Sequence, residues 1–75
     1  MNKLSTCKIG EKVKILKLHA DSDLKQRLIS FGIMKEAEVE VLEHSASKST
    51  IEIKVGKMRI ALRSKEAELI EVVKI

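Results

Sequence analysis

From Glu38 to Arg63 the chain alternates apolar and polar residues through three consecutive runs. Val39 and Val41 are set against Glu38, Glu40 and Glu43. Ile51, Ile53 and Val55 alternate with Glu52 and Lys54, and Met58, Ile60 and Leu62 with Arg59, Ala61 and Arg63. Successive side chains of a strand point to opposite faces, so a period of two puts one face in a core and the other in water. Three such runs in succession restrict the chain to an antiparallel sheet with one wet face. The connections agree: Ser45-Ala46-Ser47-Lys48-Ser49 is a polar hairpin loop, and Gly56-Lys57 is a tight turn.

The segments on either side add two strands and a helix. Ile9-Gly10-Glu11 reads as a turn. Lys12-Val13-Lys14-Ile15 alternates, and then Leu16 follows Ile15 directly and Leu18 keeps the shifted phase. A β-bulge, or a strand bent between two sheets, accounts for the slip. His19 to Asp23 is a loop ending in capping residues. Asp23 has capping-box spacing to Gln26, and Asp21 and Ser22 are alternative caps. Leu24, Leu28 and Phe31 fall at i, i+4 and i+7, which predicts a helix from Asp23 to Phe31 with these three facing the core. Gly32 is its left-handed stop. Ser64 to Ala67 reads as a capped 3₁₀ turn. The last strand, Glu68 to Ile75, is apolar on both faces: Ile70 and Val72 on one, Leu69, Val73 and Ile75 on the other.

With 75 residues, such a chain buries only about 60% of its unfolded surface and supports one thin core. Five short strands and one helix then predict an all-β fold with one short helix: a single domain spanning residues 1–75, closed as an SH3-like barrel of about five strands. Closure removes exposed sheet edges. The predicted core is Val13, Ile15, Leu24, Leu28, Phe31, Val39, Val41, Ile51, Ile53, Met58, Ile60, Leu62, Ile70 and Val72.

The chemistry is defined mostly by what is missing. The three glycines, Gly10, Gly32 and Gly56, form neither a P-loop nor a dinucleotide fingerprint. No catalytic triad or Cys/His dyad is suggested, so catalytic residues and cofactor are predicted as none, and the chain is read as a non-enzyme. Cys7, the lone cysteine, lies among polar residues near the start and is expected to be exposed. Cys7, His19 and His44 are the soft or borderline metal ligands, with Asp21 and Asp23 near His19. They have no zinc-type spacing, and capping accounts for the aspartates, so no metal site is predicted and transition-metal binding rests on this scattered set alone. The net charge is +4 and the pI ≈ 9.4, with eight Lys/Arg against three Asp/Glu up to Lys35. A basic patch suits nucleic acid, an anionic surface or an acidic protein. A small basic barrel binding RNA or DNA is the alternative function, but it wants stacking platforms, and Phe31 is the only aromatic residue. No run is apolar enough for a membrane span or a signal h-region, so the expected compartment is the cytoplasm.

The order of these pieces resembles the FeoA family. Arg27-Leu28-Ile29-Ser30-Phe31-Gly32-Ile33 is similar to the family's R-L-x-x-L-G-[IML] helix end, with Phe31 in place of leucine. Gly56, Ala61-Leu62-Arg63 and Glu66-Ala67 match its late glycine, A-L-R and acidic helical turn. The family's Pro-Gly turn is replaced by Glu36-Ala37, and the chain has no proline. A similar domain forms the C-terminal module of some metal-dependent repressors, but the residues ahead of the match's second strand hold one short helix and no DNA-reading unit. The resemblance implies a non-enzymatic accessory protein of ferrous-iron uptake. It would bind and modulate the cytoplasmic part of FeoB, a membrane transporter with a G-protein domain, peripheral to the inner membrane through that partner.

Two surfaces follow from residue type. Arg27, Arg59 and Arg63 are partner-binding candidates because a guanidinium grips carboxylates bidentately. Ile33, Met34 and Lys35 at the helix exit add an apolar centre with a basic edge. Leu69, Val73 and Ile75 are expected to support weak homodimerisation, unless the N-terminal arm with Leu4 covers them.

Overall fold

The computed structural model describes residues 2–75, so the expected domain limit at Met1 lies outside the described residues. The elements are β1 (Asn2–Lys3), a 3₁₀ turn (Leu4–Thr6), β2 (Lys12–Leu18), α1 (Ser22–Ser30), β3 (Glu38–His44), β4 (Thr50–Val55), β5 (Met58–Arg63), α2 (Ser64–Ala67) and β6 (Ile70–Lys74). One antiparallel sheet carries the strands in the order β1-β6-β2-β3-β4-β5. Apolar residues meet across it in register: Val13 opposite Val39, Ile15 opposite Val72, Val41 opposite Ile53, Ile53 opposite Ile60. All of these are buried. The period of two read from the sequence is therefore the inward face of the sheet.

The SH3-like architecture is present, with two corrections. There are six strands, because the N-terminal arm adds β1 beside β6. The ladder is also not closed, since no register joins β1 to β5 among the described residues. Side chains complete the wall. α2 packs on β5 and on the 3₁₀ turn, and Ala67 and Leu4 are fully buried there. Hydrogen bonding would have demanded a matched register between two short edges. Packing of two apolar residues does not.

The slip at Leu16 is a bulge: Ile15 pairs with Val72 and Lys17 with Glu71, leaving Leu16 as the extra residue. A second irregularity falls at Leu42, between Val41 and Glu43. Both bend their strands, as curvature of a small barrel requires.

Helix α1 starts one residue earlier than predicted and ends at Ser30. Of the three candidate caps, Asp21 fills the role, its Oδ1 accepting the Leu24 N–H at 2.9 Å. Its core face is narrower than the i, i+4, i+7 pattern implied. Leu28 is fully buried and Leu24 half-buried, while Phe31 is 36% exposed. Phe31 is the C-cap. Gly32, at φ +90°, turns the chain so that Ile33 enters the core in its place. Met58, also predicted in the core, is 53% exposed, because it flanks the Gly56-Lys57 turn at the sheet's end. The Ser64–Ala67 turn is α rather than 3₁₀.

Candidate functional site

The bulge and the helix exit converge on one surface. After Gly32 and Ile33, residues Met34 to Ala37 form a tight turn, with the Ala37 N–H donating to the Met34 carbonyl at 3.0 Å. Glu36, the third residue, sits at φ 76°. That is the position where such a turn favours glycine, so the pair standing in the place of Pro-Gly is Lys35-Glu36, one residue before the expected Glu36-Ala37. The turn is held against β2 because Glu36 N–H donates to Ile15 C=O at 2.8 Å and Ile15 N–H to Ala37 C=O at 2.9 Å. Met34 is thereby fixed beside the bulged stretch of β2 and left 42% exposed.

Between this turn, β2 and α1 lies a groove of ≈ 610 Å³. Leu16 and Leu18 from β2, Ile29 from α1 and Met34 supply its apolar surface, and Lys17, Lys25 and Lys35 its charged groups. Ile29 is 40% exposed. The groove size falls within the usual range for ligand clefts.

The sequence-predicted partner residues divide. Met34 and Lys35 line the groove. Ile33 does not: it has no exposed surface and serves as a core residue. Arg27 points elsewhere, pairing with the Oε2 of Glu66 on α2. The other oxygen of Glu66 accepts the Arg63 N–H at 3.1 Å, so this one carboxylate caps α2 and clasps α1. Arg59 pairs with Glu52 on β4. The Arg63 side chain borders a separate hollow with Ser49, Thr50, Ser64 and Lys65. The structure does not bring the three arginines together with the helix exit. Leu16, Lys17, Leu18, Lys25 and Ile29 were not anticipated as groove residues. The slip in alternation at Leu16 was their only sequence signal.

Of the self-association residues, Val73 lies on β6 and Leu69 and Ile75 flank it; β2 pairs along this strand, and β1 pairs with it at Glu71 and Val72. Leu69 is half-buried, while Val73 and Ile75 are exposed. Leu4 packs into the core, and the arm leaves Val73 uncovered.

The metal candidates are dispersed. His19 Nε2 meets Glu71 Oε1 at 2.9 Å, and His44 Nε2 meets the Cys7 carbonyl at 2.8 Å. Among the described residues no group of three or more His, Cys, Asp or Glu is placed to hold a metal ion. Cys7 corrects the expectation of exposure: it is buried, and its Sγ lies 3.5 Å from the Lys3 carbonyl. Burial, reinforced by the charge of Glu11 and opposed by Lys74, raises its thiol pKa above the ordinary value. A thiol held protonated is a poor nucleophile. A hollow of ≈ 810 Å³ is bordered by Cys7, His44, Lys48 and Glu68 among others, and two of these are already tied together. No helix among the described residues is long and apolar enough to cross a membrane.

This architecture defines a small SH3-like β domain with a short helix, α1, whose Leu28 is buried in the core. The model of the FeoA domain matches residues 2–74, and the chain belongs to that family. It is 38% identical over 69 residues to a Campylobacter jejuni protein carrying the provisional name Fe(2+) transport protein A, covering 92% of this chain and 93% of the relative. The solution structure of the Chlorobium tepidum FeoA protein superposes with a TM-score of 0.94 at 28% identity, over 99% of this chain and 70% of that one. A manganese-dependent transcriptional repressor shares the fold at TM-score 0.90 and 22% identity, matched over 36% of its length. The last likeness concerns fold alone.

Proposed function

We propose that the chain is a non-enzymatic accessory protein of ferrous-iron uptake that docks on the cytoplasmic part of a FeoB-type transporter through the groove at the helix exit. The observation that carries this reading is the family match over residues 2–74, together with relatives named for Fe(2+) transport. The groove supports it: an apolar centre with a polar rim is the usual layout of a recognition patch, and methionine adapts to uneven surfaces. Nothing in this reading asks the chain to hold iron or nucleotide. The transporter's G-protein domain would supply the phosphate site.

The test is binding to the transporter from the same cell, with and without guanine nucleotide. Met34→Asp places a charge in the groove centre and is expected to weaken binding at least tenfold, while Arg59→Glu, remote from the groove, leaves it unchanged. If the parent never binds, the accessory role falls. If Met34→Asp binds as the parent does, another surface docks.

A further inference from the structure

We infer that the groove between β2 and α1 takes an acidic amphipathic peptide segment, a stretch of chain with apolar anchors flanked by carboxylates. This rests on the reading of the chain as a docking module and adds the chemistry of what docks.

The groove's charged lining is of one sign. Among the described residues Lys17, Lys25 and Lys35 are the charged side chains that line it. Four cations elsewhere are paired within the fold, Lys14 with Glu36, Arg27 with Glu66, Arg59 with Glu52 and Lys74 with Glu11, whereas others such as Lys48 and Lys65 stand unpaired among the described residues without an apolar floor like this one beside them. None of the three groove lysines has a carboxylate within ion-pair distance among the described residues. An unneutralised cationic rim around an apolar floor selects a partner with the inverse pattern, because like charge is rejected and opposite charge speeds encounter. The apolar groups belong to a concave floor that includes Leu18, which is buried. A side chain projecting from a peptide reaches a recessed floor. A flat lipid surface meets chiefly the lysine rim.

The experiment uses the isotope-labelled full chain and two synthetic amphipathic peptides with the same leucine pattern, one with glutamate and one with lysine on its polar face. The glutamate peptide is expected to move the backbone signals of Leu16, Leu18, Ile29 and Met34, saturably, and to bind about tenfold more weakly as salt rises from about 0.1 M to 1 M. The lysine peptide should leave them in place. Combining Lys17→Glu, Lys25→Glu and Lys35→Glu, all at exposed positions, should reverse the preference. If the glutamate peptide moves no groove signal, or both peptides move them alike, the inference is wrong. If vesicles of anionic phospholipid perturb the groove and the peptide does not, the surface is membrane-facing and the inference is wrong as well. The two readings fail separately. A transporter that binds the parent and the triple variant equally removes the acidic segment and leaves the accessory role. A groove that takes the glutamate peptide while the transporter never binds removes the accessory role and leaves the groove chemistry.

Discussion

The backbone N–H of Ile33 donates to the carbonyl of Leu28 at 2.9 Å, and both side chains are fully buried. With Gly32 N–H donating to Ile29 C=O at 2.9 Å, this is a Schellman ending whose apolar contact joins helix to core. It explains why the aromatic residue at position 31 is outside and the isoleucine two places on is inside. It also sets where Met34 emerges.

Gly32→Ala is expected to destabilise by about 1–2 kcal/mol, since an L-residue at positive φ carries that strain. A Cβ there would also meet Val55 Cγ1 at 3.3 Å. Leu28→Ala should cost about 2–5 kcal/mol, a cavity in the thin core. Urea denaturation measures both. A Leu28→Ala protein as stable as the parent would contradict the docking of α1.

Glu36→Gly is expected to stabilise by about 0.5–1 kcal/mol. Relief of the left-handed strain, about 1–2 kcal/mol, exceeds glycine's entropy penalty of about 0.5–1 kcal/mol. The Lys14–Glu36 pair, 3.9 Å apart and exposed on both sides, offsets little. Glu36→Ala keeps the strain and should gain nothing. Equal midpoints for the glycine and alanine variants would show that the turn is unstrained.

Glu66→Ala should cost about 1–2 kcal/mol, because it removes both the α2 cap and the partner of Arg27. Arg27→Ala removes only a surface pair and should cost less than about 1 kcal/mol. Equal losses for the two variants would assign the work to the clasp and not to the cap.

Cys7 is expected to react slowly with thiol reagents at neutral pH in the native protein and rapidly once unfolded. Its folded pKa is raised, so the folded state holds the proton longer than the unfolded state does. The stability this contributes is complete below the unfolded pKa and is lost as pH rises through the folded one. Cys7→Ala should therefore show a weaker fall in stability above about pH 9 than the parent. A native thiol that reacts like free cysteine would overturn this.

Val73 and Ile75 are expected to support at most a weak dimer, with Kd on the order of 1 mM, since two exposed side chains bring little burial against the cost of association. Val73→Lys should abolish it in sedimentation. A strict monomer for the parent at that concentration would remove the idea.

Local pattern carried much of the fold. Strand alternation placed Val39, Val41, Ile51, Ile53, Ile60 and Leu62 inside, and the broken phase at Leu16 located the bulge. The helix pattern placed Leu28 correctly and Phe31 wrongly, because periodicity does not register where a glycine ends the helix on its last turn. Cys7 was misjudged for another reason. The Leu4–Thr6 turn just before it packs against α2 and β6, more than fifty residues away in sequence, and no local signal reports that.

The candidate site divides the same way. The sequence by itself determined that the helix exit would hold Met34 and Lys35 past a glycine, because backbone sterics at Gly32 are local. Only the tertiary structure decided that Ile33 is core, that Arg27 is held by Glu66, and that Leu16, Leu18 and Ile29 join Met34 in one groove. These relations come from elements packed side by side, and burial and charge pairing are properties of such neighbours in space.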